Sequence, residues 1–573
     1  MSRSFLALSL AAVLAAAFAP TAPAREGSKF HPEVRSPEGV VATESVIAAR
    51  VGRSILENGG NAIDAAAATV FAMSVGRPQS CGIGGGGFML YRSRTGRVRS
   101  LDFRETAPAA MTPTSLSGEG LHKTFTGHLT VGVPGVVAGL DAALTRYGTI
   151  TLSEAIAPAE RLARNGVVVP PSMTAAIAQN AERLRLMGSA AGVFLPGGQP
   201  LAAGQRLVQP ELAASLRRIM RGGRDAFYRG TIARRIVRDM GSPRPQTQDP
   251  GLLTLADFAD YRAKWRTPLS DTYRDKTVYA VPPPTSGGVA LLQMLSMLEP
   301  WELRTLGGPT SAQSIHLVAE AQKLAFADRA AYIADPEFVR QPTAWLLSED
   351  YINSRLAQMD SQNAGTYPPG FGPPDTNPNG TTTHISIVDA RGNAVALTCT
   401  IEQEFGSAVM APGTGILLNN ELTDFGAPGT ANEPAGGKRP RSSMSPTIVE
   451  AGNQPVLVAG GAGGARIIMG VLHAVLRTAE FGESLARAVD AERWDNLGTN
   501  NLAIEDARID PAVLADLESR GHRLVREGEY GPRPRVQLAG VDLETGERIA
   551  VSDSRSDQGS LSERGVATGR PRK

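Results

Sequence analysis

Cysteine is almost missing from this chain: two residues in 573, Cys81 and Cys399. That excludes a fold built on a disulfide framework. Both cysteines sit in apolar or glycine-rich runs, and a chain this long needs no staples, so they read as two separate buried thiols. Histidine is scarce as well, with seven scattered residues and no CxxC, HExxH or other ligand spacing, so no metal site is expected. Aromatic residues make up only 5% of the chain, and no basic stripe interleaves with them. Nucleic acid is therefore excluded as a partner. The longest apolar run, Phe5 to Phe18, is too short for a comfortable membrane span and lacks a stop-transfer pattern, so no stable membrane span is expected.

What remains describes an enzyme-sized globular chain, 42% hydrophobic and 20% charged, with a net charge of +2 and the two signs interspersed. Its first residues read as a targeting segment. Arg3 supplies a positive start, Phe5 to Phe18 an apolar stretch, and Ala22-Pro23-Ala24 small residues for cleavage before Arg25. Residues 1–24 are expected to be a signal peptide, and the mature chain periplasmic or secreted. The basic end, Arg564 to Lys573, reads as a frayed tail.

The folded part opens with helices. Thr43 is positioned to cap a helix with Ile47, Val51 and Ile55 on one face, ended by Gly59-Gly60. A second helix, about 62–75, is apolar almost all round and so buried. The glycine run 82–87 and the hairpin 88–104 follow, and 130–350 is mostly helical, including 289–299 and 312–334. After residue 382 strands dominate: 384–401 as a hairpin, then 415–418, 447–449 and 455–458. Helices return near 467–490 and 510–520, and VQLAGVDL is a closing strand. Helices and antiparallel hairpins in separate blocks indicate an α+β layered fold. Strands from both sides of residue 382 are expected to share one sheet system in one composite domain.

Gly82 to Gly87 contains G-x-G-x-x-G, but a turn precedes it and a strand follows. A dinucleotide site needs a strand before and a helix after, so the run reads as a tight loop near a site. The most telling stretch is Gly380-Thr381-Thr382-Thr383-His384. Residues 359–381 are dense in Pro, Gly and Asn, the composition of irregular exposed chain. Past 382 the chain becomes an apolar strand. A cut there would make a threonine the first residue of a strand, carrying a hydroxyl nucleophile and its own amine as base. Polar clusters elsewhere complete a pattern: DFRETAP at 102–108, PPPTSGG at 282–288, NNELTDF at 419–425, SSMSPT at 442–447 and GGAGG at 460–464.

In this order and spacing the motifs resemble the γ-glutamyltransferase family of N-terminal-nucleophile hydrolases, across nearly the whole mature chain. The resemblance implies a four-layer αββα sandwich, cut by the protein itself between Thr381 and Thr382. The products would be a large chain, 25–381, and a small chain, 382–573, associated as a heterodimer. Thr382, two residues before His384, matches the nucleophile; Thr381 and Thr383 do not match that register. Thr400 matches the second threonine that supports the nucleophile's amine. Arg104 matches the partner of the substrate α-carboxylate, with Ser442 and Ser443 beside it. Asp424, with Glu402 and Glu421, matches the holder of the α-ammonium. Gly463 and Gly464 match the oxyanion-hole donors.

Physical chemistry agrees with these roles. A γ-glutamyl group is a zwitterion on a short stem, so it needs a bidentate cation at one end and carboxylates at the other. Glycine N–H groups approach a developing oxyanion without side-chain obstruction, each typically worth about 3 kcal/mol of barrier. The expected substrates are glutathione or another γ-glutamyl amide, with water or an amino acid or peptide as acceptor and no cofactor. The alternatives are an acylase for glutaryl-type or bulky γ-glutamyl amides, and a non-catalytic exported protein that binds zwitterions. Position 402 is Glu, where some members carry Asn and others Glu, so it carries no warning by itself. Three departures from the family pattern matter. Arg441 stands where Leu is usual, placing a cation beside the serine pair. Gly461-Ala462 replaces a usual Ser-Pro. The stretch between Phe425 and Lys438 is short and lacks the tyrosine of lidded members, so an open pocket is expected.

Overall fold

The computed structural model describes residues 33–241, 250–368, 381–531, 534–553 and 555. The expected signal peptide, the basic tail and most of the Pro/Gly-rich stretch before Thr381 lie outside them. Strand formation in the described part follows β-branched and alternating runs, and the strands assemble into two large antiparallel sheets. One has the order Gly39–Thr43, Thr382–Asp389, Ala394–Thr400, Gly86–Arg92, Val98–Asp102, Lys264–Arg266. The other runs Val34–Ser36, Arg548–Ser552, Arg535–Val541, Gln454–Ala462, Thr447–Ala451, Lys276–Ala280, Leu269–Tyr273. Both sheets draw strands from either side of residue 382.

The sheets pack face to face over small and branched side chains, among them Val40, Ala42, Phe88, Ala394, Ala396, Ile448, Val458 and Ala539. The outer face of the first sheet is covered by helices such as Ala62–Gly76 and Val136–Tyr147. That of the second is covered by Gly287–Leu298, Ala312–Tyr332 and Ile467–Val475. The result is the α-β-β-α layering expected from the sequence. Strand periodicity then sorts the central hairpin. Ile385, Ile387, Val395, Leu397 and Cys399 face the helices, whereas Val388, Ala394 and Ala396 face the second sheet. Thr382, His384, Thr398 and Thr400 fall on the latter side. The hairpin turn is fixed by Asp389, whose carboxylate accepts from Arg391 N, Asn393 N and Asn393 Nδ2 at 2.7–2.9 Å.

The structure corrects several expectations. The cap of the first helix, Val46–Glu57, is Ser45, which accepts from Ala48 N; Thr43 instead ends a strand. Residues 264–280, read as part of a helical middle, supply three strands. Two of them, Lys264–Arg266 and Leu269–Tyr273, are edge strands, and all three keep polar, half-exposed side chains, which blurs their alternation. Residues 415–418 make only an isolated bridge, Met410 to Leu417. A further strand, Arg548–Ser552, follows the one expected to be last. Cys81 and Cys399 are not separate thiols but one disulfide, with Cα atoms 5.5 Å apart. The glycines after Cys81 let that loop lie flat on the strand carrying Cys399, which brings both sulfurs to the same helix-facing side.

Candidate active site

Thr382 opens its strand directly opposite Thr400, and His384 stands opposite Thr398. The Thr382 hydroxyl donates to Thr400 Oγ1 at 3.4 Å, and the Thr400 hydroxyl donates to the Thr381 carbonyl at 3.2 Å. Two more bonds hold the same junction: Glu402 N donates to Thr400 Oγ1 at 2.8 Å, and Thr381 N donates to Glu402 O at 2.7 Å. Glu402 takes φ +76°, a backbone region costly for a residue with a Cβ. The peptide between Thr381 and Thr382 is thus gripped by residues 400–402, next to a hydroxyl able to attack it.

The glycine run is what allows this approach. A Cβ on Gly85 would lie 1.9 Å from the Thr400 carbonyl oxygen, and one on Gly87 2.1 Å from that of Thr398. His384, two residues beyond Thr382, is fully buried between the sheets and hydrogen-bonds Thr398 Oγ1 and Ser386 Oγ. Burial pushes its pKa down to about 3, so it is neutral there. The ring fits because position 460 is glycine: a Cβ there would lie 2.2 Å from it.

Arg104 follows the strand Val98–Asp102 and is almost wholly buried. It is ion-paired with Glu421 and, at 2.5 Å, with Asp424; it also donates to the carbonyls of Pro440 (3.2 Å) and Arg441 (3.0 Å). Burial disfavours its charge, but Glu421 and Asp424 outweigh that and hold its pKa above the ordinary arginine value. Burial, against the pull of Arg104, raises Glu421 above the usual carboxylate range. Glu105, a residue the sequence reading did not select, lies 4.0 Å from Arg104. Burial and the neighbouring Glu421 keep it well above that range too. Asp424 is the exposed member of the group, its side chain 24% accessible.

The serine pair is set by the 282–288 turn. Ser286 donates to the Ser442 carbonyl through N (2.8 Å) and Oγ (2.6 Å), and Thr285 Oγ1 donates to Met444 O at 2.6 Å. Arg329, on the helix Ala312–Tyr332, donates to Ser286 Oγ and Ser443 Oγ, both at 2.6 Å. Arg329 was also missed; Glu320, Lys323 and Asp328 are charged and buried on the same helix, so its charge did not single it out. Arg441, expected as a cation beside the serines, instead turns its guanidinium to the carbonyls of Arg329 (3.2 Å) and Ala330 (3.5 Å) near that helix's C-terminus. Gly463 and Gly464 follow the strand Gln454–Ala462 with φ of +134° and +58°, conformations that favour glycine.

One cleft is lined by Arg104, Thr382, Thr400, Glu402, Glu421, Asp424, Ser442, Ser443 and Gly464, with Met444, Ala465 and Ile467 as its apolar wall. It unites every expected catalytic and recognition residue except Gly463, the neighbour of Gly464. Among the described residues, none between Phe425 and Lys438 lines it. That segment folds on itself instead, with Gly426 N donating to Asn432 O at 2.7 Å and Asn432 Nδ2 to Asp424 O at 2.7 Å. Elsewhere, the histidines are less scattered than the sequence implied. His316 and His522 meet at 2.9 Å beside Glu320, a carboxylate already paired with the Lys323 ammonium at 2.6 Å.

A family model described as gamma-glutamyltranspeptidase matches residues 48–562. The chain is 39% identical over 572 residues to the glutathione hydrolase proenzyme of Escherichia coli (strain K12), covering 94% of this chain and 95% of that one. It is also 39% identical over 501 residues to the acylase ACY 1 proenzyme of Pseudomonas sp. (strain SE83), covering 85% and 87%. The crystal structure of cephalosporin acylase from Bacillus halodurans superposes with a TM-score of 0.85 at 27% identity, covering 98% of this chain and all of that one.

Proposed function

The chain belongs to the gamma-glutamyltranspeptidase family, and we propose that it is an exported precursor that cuts itself between Thr381 and Thr382 and then works as a γ-glutamyltransferase and glutathione hydrolase. Thr382 is the nucleophile in both steps. In self-cleavage its Oγ attacks the Thr381 carbonyl, whose oxygen already accepts a hydrogen bond from Thr400. The acyl group moves from nitrogen to oxygen, and water splits the ester to leave chains 25–381 and 382–573. The freed Thr382 amine, with a reference pKa near 8, then accepts the proton of its own hydroxyl.

In turnover Thr382 Oγ attacks the γ-carbonyl of the donor. The oxyanion faces the Gly463–Gly464 backbone, the departing amine takes the proton, and a γ-glutamyl ester remains on Thr382. Water or an amino acid or peptide amine resolves it. Arg104, Ser442 and Ser443 hold the α-carboxylate, while Asp424, Glu421 and Glu402 hold the α-ammonium. The observation that carries this reading is the meeting of the Thr382–Thr400 pair with the Arg104–Asp424 pair in one cleft.

The test is turnover of γ-glutamyl and glutaryl amides side by side, with N-terminal sequencing of the small chain. A start at Thr381 or Thr383, or no release from γ-glutamyl amides, sinks the reading. A second reading, an acylase for glutaryl-type or bulky γ-glutamyl amides, is favoured by the 426–437 segment folding clear of the cleft. Preference for the glutaryl amide would select it.

A further inference from the structure

The disulfide between Cys81 and Cys399 spans 318 residues, and the Thr381–Thr382 bond lies inside that span. Cys81 therefore belongs to the segment that becomes the large chain, and Cys399 to the small one. We infer that self-cleavage does not yield two separable chains but one covalently tethered molecule, the two halves joined by this bond. The inference rests on the proposed processing at Thr381–Thr382 and adds a property which that processing alone does not require.

The bond sits where a tether has consequences for the site. Cys399 precedes Thr400, and in the strand register it lies opposite Thr383 on one side and Gly87 on the other. Cys81 opens the loop that presses Gly85 against the Thr400 carbonyl. The link thus ties the glycine loop of one chain to the strand end of the other, one residue from the hydroxyl beside the nucleophile. Without it the cut molecule is held by packing and strand pairing alone, and its halves separate on unfolding as two independent bodies. With it they stay at the high effective concentration of linked partners.

The chemistry balances. Two thiols lose two protons and two electrons, and the acceptor is the disulfide of an exchange protein, which leaves as a dithiol. Such acceptors belong to oxidising compartments, in keeping with the export expected from residues 1–24. Both cysteines are 0% exposed, so a reductant reaches the bond only when the protein opens. This changes how processing is read on a gel: without reductant, cut and uncut protein run alike.

The experiment uses purified wild-type protein, blocked with an alkylating agent and denatured in detergent with or without reductant. The expected result is one band of the uncut chain's size without reductant, and bands of about 38 and about 20 kDa with it. Two bands in both lanes overturn the tether but leave processing intact. One band in both lanes overturns the processing on which the tether depends, and the tether with it. Cys81→Ala leaves Cys399 as the one cysteine and should release both chains without reductant; a single band without reductant from that variant, once cut, would mean that something other than this bond holds the chains.

Discussion

In the proposed reading Arg104 receives the α-carboxylate while already ion-paired with Glu421 and Asp424, so the site is a polar wall rather than a lone cation. That makes geometry matter more than charge at this position. Arg104→Lys retains the charge but loses the fork that serves Glu421, Asp424 and two carbonyls at once. The expected outcome is a fall in kcat/KM for a γ-glutamyl amide of roughly 100-fold. Asp424→Asn removes the accessible carboxylate and should cost roughly 10- to 100-fold with the γ-glutamyl donor. A glutaryl amide has no α-ammonium, so its loss should be several-fold smaller; equal losses would assign Asp424 a purely structural role through Arg104. Thr382→Ala should leave a single uncut chain on a reducing gel, because no other described hydroxyl stands in its register opposite Thr400. Two bands from that variant would move the nucleophile elsewhere.

At the level of elements, the site depends on backbone surfaces that touch without side chains between them. Gly85→Ala would drive a Cβ against the Thr400 carbonyl at 1.9 Å, a backbone atom in a paired strand that has nowhere to go. It should destabilise by about 3 kcal/mol and stop self-cleavage, whereas Gly118→Ala, which meets nothing within 4 Å, should process normally. A reducing gel and a denaturant melt of both variants check this. The same surfaces mark how much was legible in the sequence. The nucleophile strand, its hairpin partner and the buried helix 62–76 were readable because apolar periodicity and turn residues agree there. The cleft residues were readable because short polar motifs interrupt those runs in a recognisable order. Edge strands such as Lys264–Arg266 were not, since an edge keeps polar side chains on both faces. Glu105 and Arg329 were missed because each acts on a neighbouring group deep in the fold, and nothing in a linear pattern shows that proximity. The cysteine pairing failed for a related reason: it depends on how a flat glycine loop lies across a strand whose cysteine is 318 residues away.

For the molecule as a whole, two consequences follow, one for stability and one for reaction outcome. Burial pushes the pKa of His384 and of His522 down to about 3. The unfolded chain takes up these protons from about pH 6.5 downward and the folded one does not, so the stability they contribute is present above pH 6.5 and is lost as pH falls toward 3. Each contributes at most about 1.4 kcal/mol per pH unit in that window. Denaturant midpoints should drop between pH 6.5 and 4.5, and His522→Gln should make that drop shallower; an unchanged slope would mean that His522 is not held neutral. The reaction outcome turns on the cover of the cleft, which among the described residues does not include 426–437. An acyl-enzyme survives to meet an amine only while water is kept from it. With residues 426–437 folded on themselves, the Thr382 ester has no cover from the segment that covers it in lidded members. Water should therefore take most of the ester at low acceptor concentration, with transfer rising in proportion to added dipeptide. The same openness should admit donors bulkier than glutathione, such as short γ-linked glutamyl chains. Product partitioning measured across acceptor concentration, together with turnover of one such chain, decides the matter. Near-exclusive transfer at low acceptor combined with rejection of every larger donor would mean that another part of the chain closes over Thr382.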